Sequence, residues 1–277
     1  MELKNVVHDQ HYLPQMYLRF FTHDINKTFV WTMNSFLSIK SRSTSEICWK
    51  KDLYELQGTN DVNEIENLYA SYENFFAPRL KWIIYEILNY QKLTQDNIVV
   101  LYAFFQMLFF RHQYILQYGS EILIDMNLTK NINIARDAVR TIGSFNLPEL
   151  TEQFRKTHDL KIGINKTIVP FITSDFPFCI KPHETAFNKQ MFYFPLTPEI
   201  ILLFIPKNNS KDFNDFNMFD ENLVDLFNHF ICERRFNRDF LLISNKKDVL
   251  TAYKLSDLFK KDYDTLIKTL KQNKSSL

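Results

Sequence analysis

Glu66 and Glu73 stand seven residues apart in a stretch where Ile65, Leu68, Tyr69, Tyr72, Phe75 and Phe76 recur at spacings of three and four. On a helix that separation is two turns, so both carboxylates share a face. Such a pair can divide the roles of general acid and general base. It can also hold a divalent cation, Mg²⁺ or Mn²⁺, which takes oxygen ligands and often only one or two carboxylates. The blander reading is a solvated or salt-bridged helix face.

Other polar residues interrupt apolar surroundings. Gln106 and Arg111 break an otherwise apolar run that begins at Ile98, and burying either group without a partner costs several kcal/mol. Arg111 therefore either pairs with Glu66 or Glu73 as an internal brace, or holds a phosphate or carboxylate of a ligand. Ser174-Asp175 falls between a β-like run and Pro177, at a strand end or tight turn from which side chains reach a cleft. An Asx-type turn bonded to its own backbone is the alternative. His11 is a candidate base or metal ligand, although a lone histidine is more often a structural residue.

Meeting in one pocket, His11, Glu66, Glu73, Arg111 and Asp175 would form a metal-assisted hydrolytic site. In that site His11, Glu66, Glu73 and Asp175 are the candidate catalytic groups. Glu66, Glu73 and Asp175 are the candidate metal ligands, and Gln106, Arg111 and Ser174 would contact substrate. The cluster Glu233-Arg234-Arg235-Phe236-Asn237-Arg238 could touch phosphates, but reads better as a solvated helix end whose Arg stems cover apolar surface.

The run His11-Tyr12-Leu13-Pro14-Gln15-Met16-Tyr17-Leu18-Arg19-Phe20-Phe21 resembles the "HxxPxxYLxxF" start of the bacterial domain-of-unknown-function family 4238 (DUF4238). Further similarities follow in order: Lys51-Asp52-Leu53-Tyr54, Ile65-Glu66 with Glu73, Gln106 with Arg111, Phe171-Ile172-Thr173-Ser174-Asp175-Phe176-Pro177, and Phe194-Pro195-Leu196-Thr197-Pro198. The resemblance covers roughly residues 8 to 245, and Phe176 departs from the Asn the family commonly carries there. It implies a shared pattern of polar positions and no particular reaction.

The elements that must position these residues follow from periodicity. The segment His11 to Lys40 reads as a helix or turn followed by a short strand pair, and Lys50 to Gln57 as a connector. An amphipathic helix starts at Asn63, and Pro78 should kink or restart it. Thr94 is an N-cap before a central helix running from Gln95 to about Tyr118. Two helices follow between Lys130 and Lys161, separated near Gly143 and Asn146-Leu147-Pro148. From Lys166 short β-like runs punctuated by proline suggest a small antiparallel sheet. A polar loop spans Lys207 to Asn217. A helix on Leu223, Leu226, Phe227, Phe230 and Ile231, a strand at Asp239 to Ser244 and a terminal amphipathic helix on Leu258 to Leu270 complete the chain.

The expectation is α+β: a mainly helical domain with a small antiparallel β-sheet packed against it. Residues 1–277 form a single domain with an N-terminal motif and short strands at 1–60, a helical lobe at 62–160, sheet plus helix at 166–245, and a closing helix at 255–273.

Composition excludes several classes. Net charge is +1 from 33 basic and 32 acidic residues, so no global field draws the chain to DNA or an anionic membrane, and nucleic acid or nucleotide contact needs a local patch. Three cysteines without CxxC spacing argue against a disulfide framework or cysteine zinc site and point to a reducing cytoplasm. The opening residues lack the apolar run of a signal peptide, and Ile98 to Phe110 is too short to span a bilayer. The four glycines are isolated, so no nucleotide cofactor motif can be built, and HExxH and GxSxG are absent. Two functional expectations follow. One is a cytoplasmic hydrolase or nuclease acting on a phosphate-containing substrate in a bacterial defence or toxin system. The other is a non-catalytic ligand-binding or protein-interaction module in which the same polar residues specify the fold.

Overall fold

The glutamate-bearing stretch forms one long helix, α2 (Glu64–Tyr90), which continues past Pro78 without restarting. Pro78 removes one intrahelical donor, but Ile65, Tyr69, Phe76, Leu80, Ile83 and Ile87 are buried on both sides of it, and tertiary burial on that stripe outweighs one lost bond. The computed structural model describes residues 7–56, 63–180, 190–233 and 240–255. The expected terminal helix on Leu258 to Leu270 and the basic cluster Arg234, Arg235 and Arg238 lie outside the described residues. The architecture is α+β, and the chain divides into two units: Met1–Met16 with Ile47–Arg155, and Tyr17–Glu46 with Lys156–Leu277.

The first unit is mainly helical. A two-stranded antiparallel ladder joins β1 (Asp9–His11) to β4 (Trp49–Lys51), pairing Gln10 with Lys50 and His11 with Trp49. Helix α3 (Gln95–Arg111) is capped by Thr94, whose hydroxyl accepts from the Asn97 N–H at 3.2 Å. Leu101, Tyr102 and every residue from Phe104 to Phe109 are buried, which makes α3 the central helix.

The expected single helix to Tyr118 is broken at His112. That residue is extended (φ −74°, ψ 134°), and its Nδ1 accepts from the Tyr114 N–H, starting α4 (Gln113–Asp125) at a 70° bend. Helices α5 (Ile132–Phe145) and α6 (Leu147–Thr157) follow. No single helix among the described residues is long and apolar enough to cross a membrane; α3 and α4 pass together by length and composition, but only as that bent pair.

The second unit holds two sheets. One is a five-stranded sheet in the order β10-β5-β9-β8-β7, formed by Phe216–Phe219, His158–Asn165, Ile200–Pro206, Phe192–Thr197 and Cys179–Ile180. The other is antiparallel, in the order β3-β2-β11-β6, formed by Ile39–Ser43, Phe29–Asn34, Leu241–Ser244 and Thr173–Ser174. Strands β8 and β9 are buried along their whole length. Helix α7 (Glu221–Glu233) supplies Phe227, whose ring stacks on Phe219 at 5.2 Å and meets Tyr193 edge-on at 5.1 Å.

Three expectations need correction. The first half of strand β5, residues 158–161, stands where the pattern predicts the end of a helix, β10 replaces the end of the polar loop, and Thr167 to Val169 is a turn. Asn165 makes that turn, accepting from the Thr167 N–H at 2.8 Å and donating to the Val169 carbonyl at 2.7 Å. The β10–β5 pairing is parallel.

Candidate functional site

The ladder and its following turn gather the polar groups of the first unit. Gln10 is fully buried and its Oε1 accepts from the Tyr54 N–H at 2.6 Å, while its Nε2 donates to Glu55 Oε1 at 2.9 Å. These bonds fix the Tyr54-Glu55 segment. Tyr54 then projects its hydroxyl to the end of α3, donating to the Arg111 carbonyl at 2.9 Å.

Arg111 is 1% exposed, and each of its three guanidinium nitrogens donates one hydrogen bond. Its Nη1 donates to Glu73 Oε1 at 2.7 Å, its Nε to the Tyr54 hydroxyl at 3.3 Å, and its Nη2 to the His11 carbonyl. The guanidinium also lies 4.6 Å from the Tyr69 ring centroid. Its place in the last turn of α3 suits the negative end of the helix dipole. Burial alone would push its pKa down, but Tyr54 and Glu73 outweigh burial and raise it. Burial in turn raises the Tyr54 hydroxyl to about 12, against a smaller downward pull from Arg111, so Tyr54 stays a neutral donor. This is the geometry of a brace, with each guanidinium nitrogen tied to a different part of the unit.

Glu66 differs from Glu73 in its surroundings. It sits in the first turn of α2, where the dipole favours a carboxylate. Burial nevertheless raises its pKa, with Arg111 pulling down and Glu73 and Glu55 pushing further up. Its Oε2 is enclosed and has no hydrogen-bond partner among the described residues. A carboxyl held in this way keeps its proton to higher pH than an ordinary glutamate, which suits proton transfer.

The structure thus brings Glu66, Glu73, Arg111 and the main chain of His11 into one cluster. Gln106 lies on the same helix as Arg111, 2% exposed, with its Nε2 unpartnered among the described residues. Ser174 and Asp175 belong to the second unit. There the Ser174 hydroxyl donates to the Phe176 carbonyl at 2.7 Å and accepts from the Phe176 N–H at 3.2 Å, a local turn, and the Asp175 N–H bonds the Leu241 carbonyl. Both residues are buried.

Among the described residues no group of three or more His, Cys, Asp or Glu side chains is placed to hold a metal ion. Glu73 is also engaged by Arg111, so the acid–base reading of Glu66 carries further than the metal-bridging one. Tyr54 and Tyr69, the aromatic walls around Arg111, were not among the candidate site residues. The signal for Tyr54 was its place in Lys51-Asp52-Leu53-Tyr54, and Tyr69 read only as part of an apolar stripe. An apolar groove of about 540 Å³ between Tyr72, Phe76, Val99 and Leu147 contains none of the candidate residues.

Fold and site define an α+β protein whose helical unit encloses an arginine–carboxylate–tyrosine cluster. The chain belongs to the family described as protein of unknown function (DUF4238), whose family model matches residues 9–238. No curated protein and no solved structure matches it.

Proposed function

We propose that the chain is a cytoplasmic hydrolase acting on a phosphate-containing substrate, with Glu66 as the proton-transferring group. The observation that supports this most is the enclosed, unpartnered Glu66 Oε2 beside a braced cation. In the protonated form Glu66 gives its proton to the leaving oxygen as the bond to phosphorus breaks, and recovers one from the attacking water. The Arg111–Glu73–Tyr54 brace holds α2 and α3 in register, so the carboxyl meets the substrate in one geometry.

The test is release of inorganic phosphate from phenyl phosphate and from glycerol 2-phosphate, whose leaving oxygens need a proton, with and without Mg²⁺ or Mn²⁺. Glu66→Gln should lower the rate by about 10² or more without lowering the melting temperature. A Gln variant as active as the parent removes Glu66 from the chemistry.

The tying of all three Arg111 nitrogens to groups of the protein itself favours a second reading, a non-catalytic binding module with the cluster as scaffold. That reading predicts no hydrolysis with either ester and no effect of divalent cations on melting.

A further inference from the structure

A second polar feature of the helical unit is a hollow of about 280 Å³. Lys50, Lys51 and Asp52 line it from β4 and the turn after it, Gln113 from the first turn of α4, and Arg136 and Arg140 from α5. Four cations thus face a single carboxylate, and that carboxylate is already engaged: Asp52 Oδ1 lies 2.6 Å from His8 Nδ1. The side chains of Lys50, Lys51 and Arg136 make neither hydrogen bond nor ion pair among the described residues.

Arg140 is 8% exposed. Its Nη1 donates to the Glu55 carbonyl at 2.7 Å and to Asp137 Oδ1 at 2.9 Å, but its enclosed Nε–H has no partner among the described residues. Burial pushes its pKa down, Asp137 resists, and the charge of Arg136 adds to the push. The positive end of α4, a helix of 13 residues, closes the same hollow. A buried donor without a partner, three basic side chains without a partner among the described residues and the start of α4 all belong to the lining of one space, and an anion suits each of them.

We infer that this hollow binds the phosphate of a small phosphomonoester, through Lys50, Lys51, Arg136, the Arg140 Nε–H and the Gln113 N–H that opens α4. Three unpaired cations match a dianionic phosphate better than a monoanionic carboxylate. A volume at the lower end of ligand pockets suits a small molecule better than a polymer. The segment carrying Lys50, Lys51 and Asp52 leads directly into Tyr54 and Glu55, which neighbour Glu66. The inference deepens the hydrolase reading and rests on it for turnover; binding itself does not depend on Glu66.

The experiment is calorimetric titration and thermal melting of the full chain with inorganic phosphate and with glycerol 2-phosphate, against sodium chloride and acetate at matched ionic strength. Phosphate and glycerol phosphate should saturate and raise the melting temperature beyond both controls. Lys51→Ala with Arg136→Ala should weaken binding about tenfold or more, while melting unliganded at the parent temperature. Glu66→Gln should bind both ligands as the parent does, so loss of hydrolysis with retained binding separates the two proposals. No effect beyond the controls would overturn the site. So would binding unchanged in the double variant, or binding lost in Glu66→Gln.

Discussion

Replacing Glu73 with glutamine takes the carboxylate paired with Arg111 among the described residues from a guanidinium that is 1% exposed. Removing one member of a fully buried pair costs about 3–5 kcal/mol. The Glu73 side chain, however, is 27% exposed, so water partly screens the interaction, and glutamine still offers Nη1 an oxygen. A destabilisation of about 2 kcal/mol remains. For a chain of this size about 2–4 °C is lost per kcal/mol, giving a fall of roughly 4–8 °C. Urea unfolding followed by circular dichroism, alongside calorimetry, measures both. Glu152→Gln is the internal control: Glu152 pairs with Arg155 but its side chain is 55% exposed, so its loss should cost about 0.5 kcal/mol or less. Adding Arg111→Met to Glu73→Gln should cost less than the sum of the singles, because the second change removes the stranded charge. The brace argument fails if Glu73→Gln is no more harmful than Glu152→Gln.

Three further outcomes follow from the same geometry. Tyr54→Phe leaves the Arg111 carbonyl and one guanidinium N–H without their partner, and should destabilise by about 1–3 kcal/mol in urea unfolding. Because burial raises the Glu66 carboxyl above 4.5, its stabilising contribution is fully present below that pH and is lost as pH rises through the folded value. Glu66→Gln should therefore gain on the parent towards neutral pH, with the difference fading on acidification, when both are melted across that range. Gly163→Ala should lower the melting temperature sharply, since a Cβ there would meet Ile201 Cγ2 at 2.5 Å and Phe219 Cζ at 2.8 Å.

The parts of the fold legible in the sequence are those written by a single local rule. The three-and-four spacing from Ile65 to Phe76 marks α2, Thr94 marks the start of α3, and the run Ile200 to Ile205 marks a strand buried on both faces. The misread elements depend on partners distant in sequence. His158 to Asn165 becomes a strand because β9 and β10 flank it, and its glycine is required by Ile201 and Phe219. His112 breaks a continuous apolar pattern through its own backbone and ring nitrogen, which periodicity does not register. For the site, carboxylate spacing correctly put Glu66 and Glu73 near one another and offered Arg111 as their brace. It could not tell that Glu73 would take the arginine while Glu66 kept an unpaired oxygen. The surroundings that distinguish them include Tyr54, which shares Arg111 with Glu73, and Glu55, whose charge acts on Glu66, both on a different part of the chain. Arg136 and Arg140 carried no signal in the sequence and gain meaning only beside Lys50 and Lys51.

The most direct measurement is the titration of the Glu66 carboxyl itself, followed by carbon NMR on protein labelled at glutamate Cδ and assigned through Glu66→Gln. A titration displaced upward from the ordinary glutamate range is the predicted result. A Glu66 that ionises at or below that range would leave the hydrolytic proposal without its acid.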